Sequence, residues 1–384
     1  MNILMSAGVP RRHEGGVAAI VYNFGRELES RGHRVEYLFY EDLLSEAEMK
    51  GRFRDLRFSL RVARHIRKNR DRYSVVNLHA PIGFVYGLSR WIFPSSGYPP
   101  YVMTLHGLVE RFVRVMARED EKGKAWHFSL KNRLWYRIYH RPRFVLAIKT
   151  LDRAHCYSRD VWTMLQLKYN LDSDKVAYIP NGVEKRFFIS RENHDRKPLR
   201  LLYAGTWLDQ RGIFYLRDAL NGLNKRFKDW TLTIVGAGFP AVELESFFGA
   251  GLREQIIILP IVPAKDMQHV YGEYDIFVFP SLMEGLPSVI LESMAAGMAV
   301  ITTETCGMAD VVEDGFNGLL IPPANAEAIE DAILRLAQSP SLRQQLGQAA
   351  QESMKRLTWE KSAEKLEKVF EVSLRNGSGM KTTR

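Results

Sequence analysis

The segment PSLMEGLPSVILESMAAG, residues 280–297, carries the pattern that decides the fold. An apolar run before it predicts a buried strand that ends at Phe279, and its second half has the spacing of a helix that begins near Pro287 and Ser288. Proline is favoured at a first helical position. Because the N–H groups and the dipole of a helix start attract anions, this geometry suits a diphosphate. Glu284 lies in the loop before the predicted anion site.

The alternation of strand and helix extends outward from this segment over nearly the whole chain. Near-continuous apolar runs separated by helical patterns predict parallel sheets that are covered by helices on both faces. The predicted strands lie within residues 2–8, 34–40, 74–80, 101–107 and 176–180 of a first series, and 199–205, 230–236, 256–260, 274–281, 298–304 and 318–322 of a second. A polar stretch, residues 184–198, separates the two series. The sequence therefore predicts an α/β protein of two Rossmann-like lobes, with a ligand outside the carboxyl ends of the strands.

Bulk composition is that of a globular protein rather than a disordered one. The chain has 384 residues, 46% of them hydrophobic and 26% charged, which predicts two domains. We see neither a secretory signal nor an apolar run of about 20 residues, so we expect a cytoplasmic protein. The two cysteines, Cys156 and Cys306, are far apart and are predicted to be buried packing residues. A net charge of +10 favours an anionic partner, although charge alone does not identify it.

Two acids eight positions apart, Glu284 and Glu292, make the segment more specific. A carboxylate on the predicted helix can accept hydrogen bonds from two ribose hydroxyls at once. The run EGLPSVILE resembles the Glu-x7-Glu signature of retaining family 4 glycosyltransferases, whose GT-B fold has two Rossmann-like lobes that face each other across a cleft. That resemblance implies that Glu284 contacts the transferred sugar and Glu292 the nucleotide ribose. The alternative is a solvated Glu284 and a Glu292 on the polar face of a helix.

The resemblance implies the domain roles and the reaction. Residues 1–183 would bind the acceptor, 184–198 would link the lobes, and 199–358 would bind the nucleotide sugar. Residues 359–384 would form a helix that crosses back to the first lobe, followed by a frayed tail. The implied reaction is a metal-independent transfer, with retention, from a UDP-, GDP- or ADP-sugar to an acceptor hydroxyl.

A second element, LLYAGTWLDQRGI, joins a predicted strand to a helix through Gly205, Arg211 and Gly212. It resembles the family pattern in which two cations neutralise the leaving diphosphate. This chain has Arg211 at the second place but Thr206 at the first, so either Arg211 acts alone or another side chain substitutes. Arginine can bind phosphate through two hydrogen bonds, which offsets part of the loss. The alternative is an exposed Arg211 at a helix start.

A glycine-rich turn at Gly236 and Gly238 has two interpretations. It resembles a dinucleotide fingerprint, which would suggest an oxidoreductase, but the expected acidic residue about 20 positions on is absent from the sequence. Family 4 chains also have a glycine-rich turn here, beside the nucleotide. The predicted donor-binding residues are Gly15, Gly16, Gly205, Arg211, Gly236, Gly238, Glu284, Gly285, Leu286, Pro287, Ser288 and Glu292.

Two features of the first lobe complete the predicted site. Gly15 and Gly16 precede a predicted helix, where glycine lets the backbone approach phosphate. His106 ends a predicted strand, and the resemblance implies that it positions the sugar or stabilises the transition state rather than acting as a general base. The predicted catalytic residues are therefore His106, Arg211 and Glu284. The residues predicted on the acceptor side are Arg11, Arg12, His79 and His106, each of which has a purely structural or solvated alternative.

Metal binding is not expected. Asp172 and Asp174 resemble the metal motif of the other main glycosyltransferase fold, but they precede the predicted strand at residues 176–180. That end of a strand lies away from the predicted cleft, so we interpret the two acids as part of a loop.

Two basic segments, residues 52–72 and 131–143, suggest an anionic membrane surface as a partner. In the first, Phe53, Leu56, Leu60 and Ala63 recur at helical spacing beside a stripe of arginines. A helix packed on the first lobe with a solvated basic face explains the pattern equally well. No recognised nucleic-acid module accompanies the charge.

The expected role is assembly of a surface polysaccharide or glycolipid, such as lipopolysaccharide, by a cytoplasmic enzyme that is peripheral on the inner face of the membrane. Rival functions on the same fold are a nucleotide-sugar epimerase and a glycosyl phosphorylase. A rival from another class is a non-catalytic nucleotide-sugar sensor.

Overall fold

The computed structural model describes residues 1–12, 15–93, 97–107, 109–125, 128–191 and 197–379. Within these ranges it contains two six-stranded parallel sheets. The strands of the first sheet are β1 (Asn2–Ser6), β2 (Arg34–Leu38), β3 (Val75–His79), β4 (Tyr101–Leu105), β5 (Arg153–Cys156) and β6 (Val176–Tyr178). Those of the second are β7 (Leu199–Ala204), β8 (Trp230–Val235), β9 (Ile256–Leu259), β10 (Ile276–Phe279), β11 (Ala299–Thr303) and β12 (Leu319–Ile321). The prediction of an α/β protein with two parallel sheets is confirmed.

Helices follow most strands. Those of the first half are α1 (Gly16–Ser30), α2 (Tyr40–Leu43), α3 (Glu46–Lys50), α4 (Arg54–Lys68), α5 (Phe84–Ile92), α6 (Val109–Glu121), α7 (Leu130–Trp135), α8 (Arg141–Thr150) and α9 (Arg159–Tyr169). Those of the second half are α10 (Ile213–Arg226), α11 (Ala241–Phe248), α12 (Met267–Glu273), α13 (Ser288–Ala295), α14 (Met308–Val311), α15 (Ala326–Ala337), α16 (Pro340–Met354) and α17 (Trp359–Gly379). Every residue of β3, β4, β10 and β11 is buried, which explains their apolar runs.

The strand order of each sheet reverses at one point. The first sheet has the order β2-β1-β3-β4-β5-β6, and the second has β12-β11-β10-β7-β8-β9. In the first sheet, β2 lies on one side of β1 and β3 lies on the other. In the second sheet, β8 lies on one side of β7 and β10 lies on the other. At such a point the loops beyond the carboxyl ends of neighbouring strands leave room for a ligand. These points lie between β1 and β3 and between β7 and β10.

Strand β5 is absent from the predicted set because its sequence, RAHC, lacks an apolar run. Its polar side chains are buried through specific partners. Arg153 forms an ion pair with Asp174, with nitrogen and oxygen 3.8 Å apart. His155 makes a 3.2 Å contact from Nε2 to the carbonyl oxygen of Ile179. Cys156 and Cys306 are both buried, as predicted.

By its internal contacts the chain divides into two compact units, and these bounds differ from the predicted ones. The first unit comprises residues 1–110, 131–181 and 359–384, and the second comprises 111–130 and 182–358. Residues 111–130 were predicted within the first lobe. They belong to the second because Glu119, buried on α6, accepts a 2.6 Å hydrogen bond from the hydroxyl of Tyr215 on α10.

The predicted linker is partly packed structure. Its residues 184–191 belong to the second unit, and Phe187 packs edge-on against Tyr271 at 5.8 Å between ring centroids. Arg191 donates a 2.7 Å hydrogen bond to the carbonyl oxygen of Tyr271. Residues 192–196 of the predicted linker lie outside the described part of the chain.

Helix α17 packs against α1 within the first unit. Glu367 on α17 pairs with Arg31 at 2.5 Å and with His33 at 2.7 Å. The tail predicted to fray from residue 376 continues this helix to Gly379, and residues 380–384 lie outside the described ranges.

Of the predicted apolar stripe on α4, Ala63 is buried in the core of the first unit and Leu56 packs against that core. Phe58, Val62, Ala63 and Ile66 are buried in the core of the first unit, whereas Leu60 is exposed. The buried face therefore shares Leu56 and Ala63 with the predicted stripe and leaves out Leu60. The helix thus keeps its apolar face inside and presents a basic face to solvent.

Among the described residues, no helix combines the length and apolar character needed to cross a membrane.

Candidate active site

In the second unit, the loops that follow β7 and β8 are tied together at the carboxyl edge of the sheet. The Gly205 N–H donates to the carbonyl oxygen of Val235 at 2.9 Å, and the Trp207 N–H donates to that of Ala237 at 2.8 Å. The predicted glycine-rich turn therefore borders the loop that leads to Arg211.

The loop after β10 is held against the same region. The Leu282 N–H donates to the carbonyl oxygen of Gln210 at 2.8 Å, and the Ser281 hydroxyl donates to the same oxygen at 3.1 Å. Gly212 has φ +72°, and a Cβ there would lie 2.0 Å from the carbonyl oxygen of Pro280. Only glycine permits this approach. The Arg211 and Glu284 loops thus converge at the point where the strand order reverses.

Arg211 and Glu284 form an ion pair at this point. Nε of Arg211 donates to Oε1 of Glu284 at 2.9 Å, and Nη1 donates to the carbonyl oxygen of Thr206 at 3.1 Å. The side chains of Arg211 and Glu284 are only 21% and 17% exposed, so the alternative of a solvated pair is wrong. Thr206 contributes its backbone oxygen, which orients the guanidinium.

Gly205 leaves room for that guanidinium. It has φ +124°, and a Cβ on it would lie 2.4 Å from Nη1 of Arg211. A side chain at position 205 would therefore displace the arginine. The glycine determines where the cation sits.

Helix α13 begins at Ser288, immediately after the Glu284 loop, as predicted. Pro287 is the residue that caps the helix rather than its first helical residue. The loop is fixed by Gly307, whose N–H donates to the carbonyl oxygen of Gly285 at 2.8 Å and whose Cβ, if present, would lie 2.3 Å from that oxygen. Since the first N–H groups of a helix lack acceptors within the helix, this end can receive an anion.

Glu292 on α13 is mostly buried, unlike a residue on a solvated polar face. Its carboxylate accepts a 2.8 Å hydrogen bond from the hydroxyl of Tyr271 on α12. Burial raises the pKa of Glu292 to about 7; the Tyr271 hydrogen bond opposes this rise, and the nearby Glu184 carboxylate adds to it. Glu284 is paired with a cation, whereas Glu292 is held by a phenol. The two acids of the motif therefore lie in different surroundings.

In the first unit, Gly15 and Gly16 begin α1 with φ +74° and +67°, a conformation that favours glycine. No atom of the described residues lies within 4 Å of a Cβ placed on either one. Arg11 is engaged inside the unit, since its guanidinium bonds to Asp42. Arg12 is exposed. Both predicted acceptor-side arginines are thus exposed, Arg11 while it is paired with Asp42.

The predicted histidines lie side by side at the carboxyl ends of β3 and β4. Nδ1 of His79 is 2.7 Å from Nε2 of His106, which makes a hydrogen bond. His79 is 3% exposed and contacts His106, which is the more exposed of the two. Burial lowers the pKa of His106 to about 3. A neutral imidazole of such low basicity suits hydrogen bonding better than general-base chemistry.

The acidic pair at residues 172–174 forms a turn before β6, as predicted, in which Asp172 pairs with Lys175 at 2.7 Å. Within the described ranges, no group of three or more His, Cys, Asp or Glu side chains is placed to hold a metal ion.

Two site residues escaped prediction. Tyr271 supports Glu292 from a separate helix, and His155 lies beside the histidine pair on a strand that the sequence does not reveal. Neither lies at a diagnostic spacing from the motif residues. Only the tertiary fold brings them to the site.

Comparison with known proteins agrees with this geometry. The family model described as "Glycosyltransferase Family 4" matches residues 14–187, and that described as "Glycosyl transferases group 1" matches residues 184–353. An uncharacterized glycosyltransferase of Methanocaldococcus jannaschii is 26% identical over 97% of this chain and 98% of its own. The phosphatidyl-myo-inositol mannosyltransferase of Mycobacterium leprae is 26% identical over 95% of each chain.

Among solved structures, HepE of Anabaena in complex with UDP-glucose superposes with a TM-score of 0.70 and 14% identity, covering 97% of this chain and 100% of that one. At that identity the likeness shows the fold. The two sheets and the matched family models, taken together, make the chain a family 4-like glycosyltransferase of the GT-B fold.

Proposed function

We propose that the protein transfers a sugar, with retention of configuration and without a metal ion, from a nucleotide-diphosphate sugar to an acceptor hydroxyl. The pathway proposed is synthesis of a surface polysaccharide or glycolipid. One observation carries the proposal: the Arg211–Glu284 ion pair stands beside the start of α13, where the strand order reverses. A cation, a helix start and a carboxylate together suit a sugar diphosphate.

In this proposal the bond between the sugar and the diphosphate breaks, and its electron pair passes to the diphosphate. The acceptor oxygen bonds to the same sugar carbon from the same face, and its proton goes to the leaving diphosphate. Arg211 and the start of α13 stabilise the charge that grows on the leaving group. Glu284 contacts the sugar, Glu292 accepts hydrogen bonds from the ribose, and His106 positions the sugar or the acceptor.

The comparisons support the choice of donor and acceptor. HepE is described with UDP-glucose bound, which favours a nucleotide sugar as donor. The relative from Mycobacterium leprae is named for transfer of mannose to phosphatidyl-myo-inositol, which favours an acceptor at a membrane. The cationic residue at the proposed diphosphate site supplies charge that a metal would otherwise provide.

A panel of UDP-, GDP- and ADP-sugars, screened by thermal shift, is expected to reveal one donor that raises the melting temperature by mass action. With that donor, transfer to a hydroxyl acceptor should proceed in a buffer that contains EDTA. Calorimetry should show weaker donor binding for Glu292→Ala, and kinetics should show slower transfer with donor affinity retained for Glu284→Ala.

Other outcomes of the same assay identify the rival functions. Conversion of the donor without an acceptor indicates an epimerase, a requirement for free phosphate indicates a phosphorylase, and binding without turnover indicates a sensor. Unchanged donor affinity in Glu292→Ala would contradict the ribose role. Loss of activity in EDTA that a divalent ion restores would contradict metal independence.

We also propose that the first unit binds an anionic membrane surface. On the segment from α7 to α8, Leu134 and Ile138 are 57% and 65% exposed and lie one helical turn apart. Exposed cationic residues, Lys131 and Arg137, accompany them. Exposed apolar side chains flanked by cations are typical of interfacial helices. The basic face of α4 can add electrostatic attraction, but its apolar face is already buried.

Vesicles of phosphatidylcholine and phosphatidylglycerol in equal amounts are expected to co-sediment with the protein at low salt, and less so at high salt. The double variant Leu134→Ser, Ile138→Ser should bind at least about 30-fold more weakly, because burial of each apolar side chain contributes roughly 1–2 kcal/mol. A matched control is Leu167→Ser on α9, where Leu167 is 83% exposed but outside the segment. Absence of sedimentation at low salt would remove the proposal.

A further inference from the structure

A cluster of buried aromatic rings lies at the carboxyl ends of β3, β4 and β5 in the first unit. The rings of His79 and His106 are 4.9 Å apart between centroids, and Tyr157 lies 5.0 Å from His106. His155 lies 4.7 Å from Tyr157. His79, His155 and Tyr157 are buried, whereas His106 retains partial exposure. His106 is therefore the histidine of the cluster that a ligand can reach.

One member of the cluster has a tautomer that its partners determine. Nε2 of His155 lies 3.2 Å from the carbonyl oxygen of Ile179, which can only accept, so this nitrogen carries the proton. The other nitrogen, Nδ1, must then accept, and the hydroxyl of Thr104 lies 3.4 Å from it. Asn77 donates in turn to that hydroxyl at 2.9 Å. The surroundings of the histidine pair are thus an ordered network of hydrogen bonds.

A single hydrogen bond joins His79 and His106, and one proton lies in it. Burial lowers the pKa of both His79 and His106, so both rings are neutral at pH 7. In the 2.7 Å bond from Nδ1 of His79 to Nε2 of His106, one nitrogen donates and the other accepts. Whichever nitrogen donates, Nε2 of His106 is occupied by the buried partner. Among the described residues no hydrogen bond to Nδ1 of His106 is seen, so this nitrogen is available to a ligand.

We infer that His79 is a positioning residue for His106. By holding Nε2, it fixes the ring orientation of His106 and directs Nδ1 to the sugar or the acceptor; as long as the bond keeps one direction, His106 also keeps one tautomer. The inference rests on the proposed function, in which His106 contacts the reacting groups. Loss of such a partner leaves the ring free to rotate and to exchange tautomers, which lowers the fraction of molecules ready to react.

A matched pair of substitutions tests this role. In His79→Asn the amide occupies the position of Nδ1 and can still bond to His106, whereas in His79→Gln the amide lies further out, where Nε2 was. We expect His79→Asn to keep near-normal turnover and His79→Gln to lose about tenfold in kcat, the equivalent of one hydrogen bond, with the KM for the donor unchanged in both. The donor used is the nucleotide sugar identified by thermal shift.

A second measurement requires no substrate. With histidine labelled by 15N, the two ring nitrogens of His106 in the full-length protein should give the separate shifts of one dominant tautomer. His79→Asn should preserve them, and His79→Gln should average them. Equal losses of turnover in the two variants, or averaged shifts in the wild type, would overturn the inference.

Failure of the proposed function would look different. Suppose that His106→Ala retains full turnover while the 15N shifts follow the expected pattern. His79 then still orients His106, but His106 has no part in transfer, and the inference that His79 assists the reaction is wrong. If the shifts are averaged in the wild type while His106→Ala loses turnover, the proposed role of His106 stands and that of His79 is wrong.

Discussion

Replacement of Arg211 by alanine is expected to lower kcat by about 10²–10³-fold, the loss that follows removal of one group that stabilises charge in a transition state. The structure gives the reason. Arg211 is anchored by Glu284 at 2.9 Å and by the carbonyl oxygen of Thr206 at 3.1 Å, so its remaining N–H groups are held in place before the diphosphate arrives. The measurement is steady-state kinetics with the identified donor, together with calorimetry of donor binding.

Two controls separate charge from geometry. Arg211→Lys keeps the charge but cannot bond to Glu284 and Thr206 in the same manner, so we expect an intermediate loss of about tenfold. Thr206→Ala should change kcat by less than about threefold, because only the backbone oxygen of Thr206 contacts the arginine. If Arg211→Ala retains most of the wild-type kcat, another cation neutralises the diphosphate and the proposed role of Arg211 is wrong.

Local pattern was enough to locate the framework of the site. Strand β10 and helix α13 follow from an apolar run and a helix start, and these place Glu284 in the loop between them. The glycines at positions 205 and 212 lie in the turn between a strand and a helix, where both adopt a positive φ that favours glycine. Such features depend on neighbours in sequence, which is why the sequence shows them.

Features that depend on distant partners could not be predicted. The sequence places Thr206 shortly before Arg211, but it does not show that the carbonyl oxygen of Thr206 orients the guanidinium. The burial of His79 depends on packing between strands, and the membership of α6 in the second unit depends on the bond from Tyr215 to Glu119. The sequence likewise did not show that Phe58, Val62 and Ile66, rather than Leu60, are buried on α4.

Glu292→Gln is expected to stabilise the free protein at pH 8 while it weakens donor binding. Burial raises the pKa of Glu292 to about 7, above the value near 4.5 of an unfolded chain. A carboxyl group whose pKa is raised on folding contributes stability that is fully present below pH 4.5 and is lost as the pH rises through 7. Glutamine does not ionise. The difference in unfolding free energy between variant and wild type should therefore grow by about 3 kcal/mol from pH 4.5 to pH 8.

This prediction concerns how the difference in unfolding free energy between the variant and the wild type changes with pH. The amide of glutamine also packs differently from the carboxyl group, but that contribution is the same at every pH and cancels when two pH values are compared. Denaturant unfolding of both proteins across this range gives the measurement. Tyr271→Phe is the matched control: loss of the hydroxyl that bonds to Glu292 should raise the pKa of the carboxyl and move the loss of stability to higher pH. A difference that stays constant with pH would show that folding does not raise the pKa of Glu292, which would then be ionised at pH 7. The acid would then meet the donor already charged, and ribose binding would take up or release no proton near pH 7.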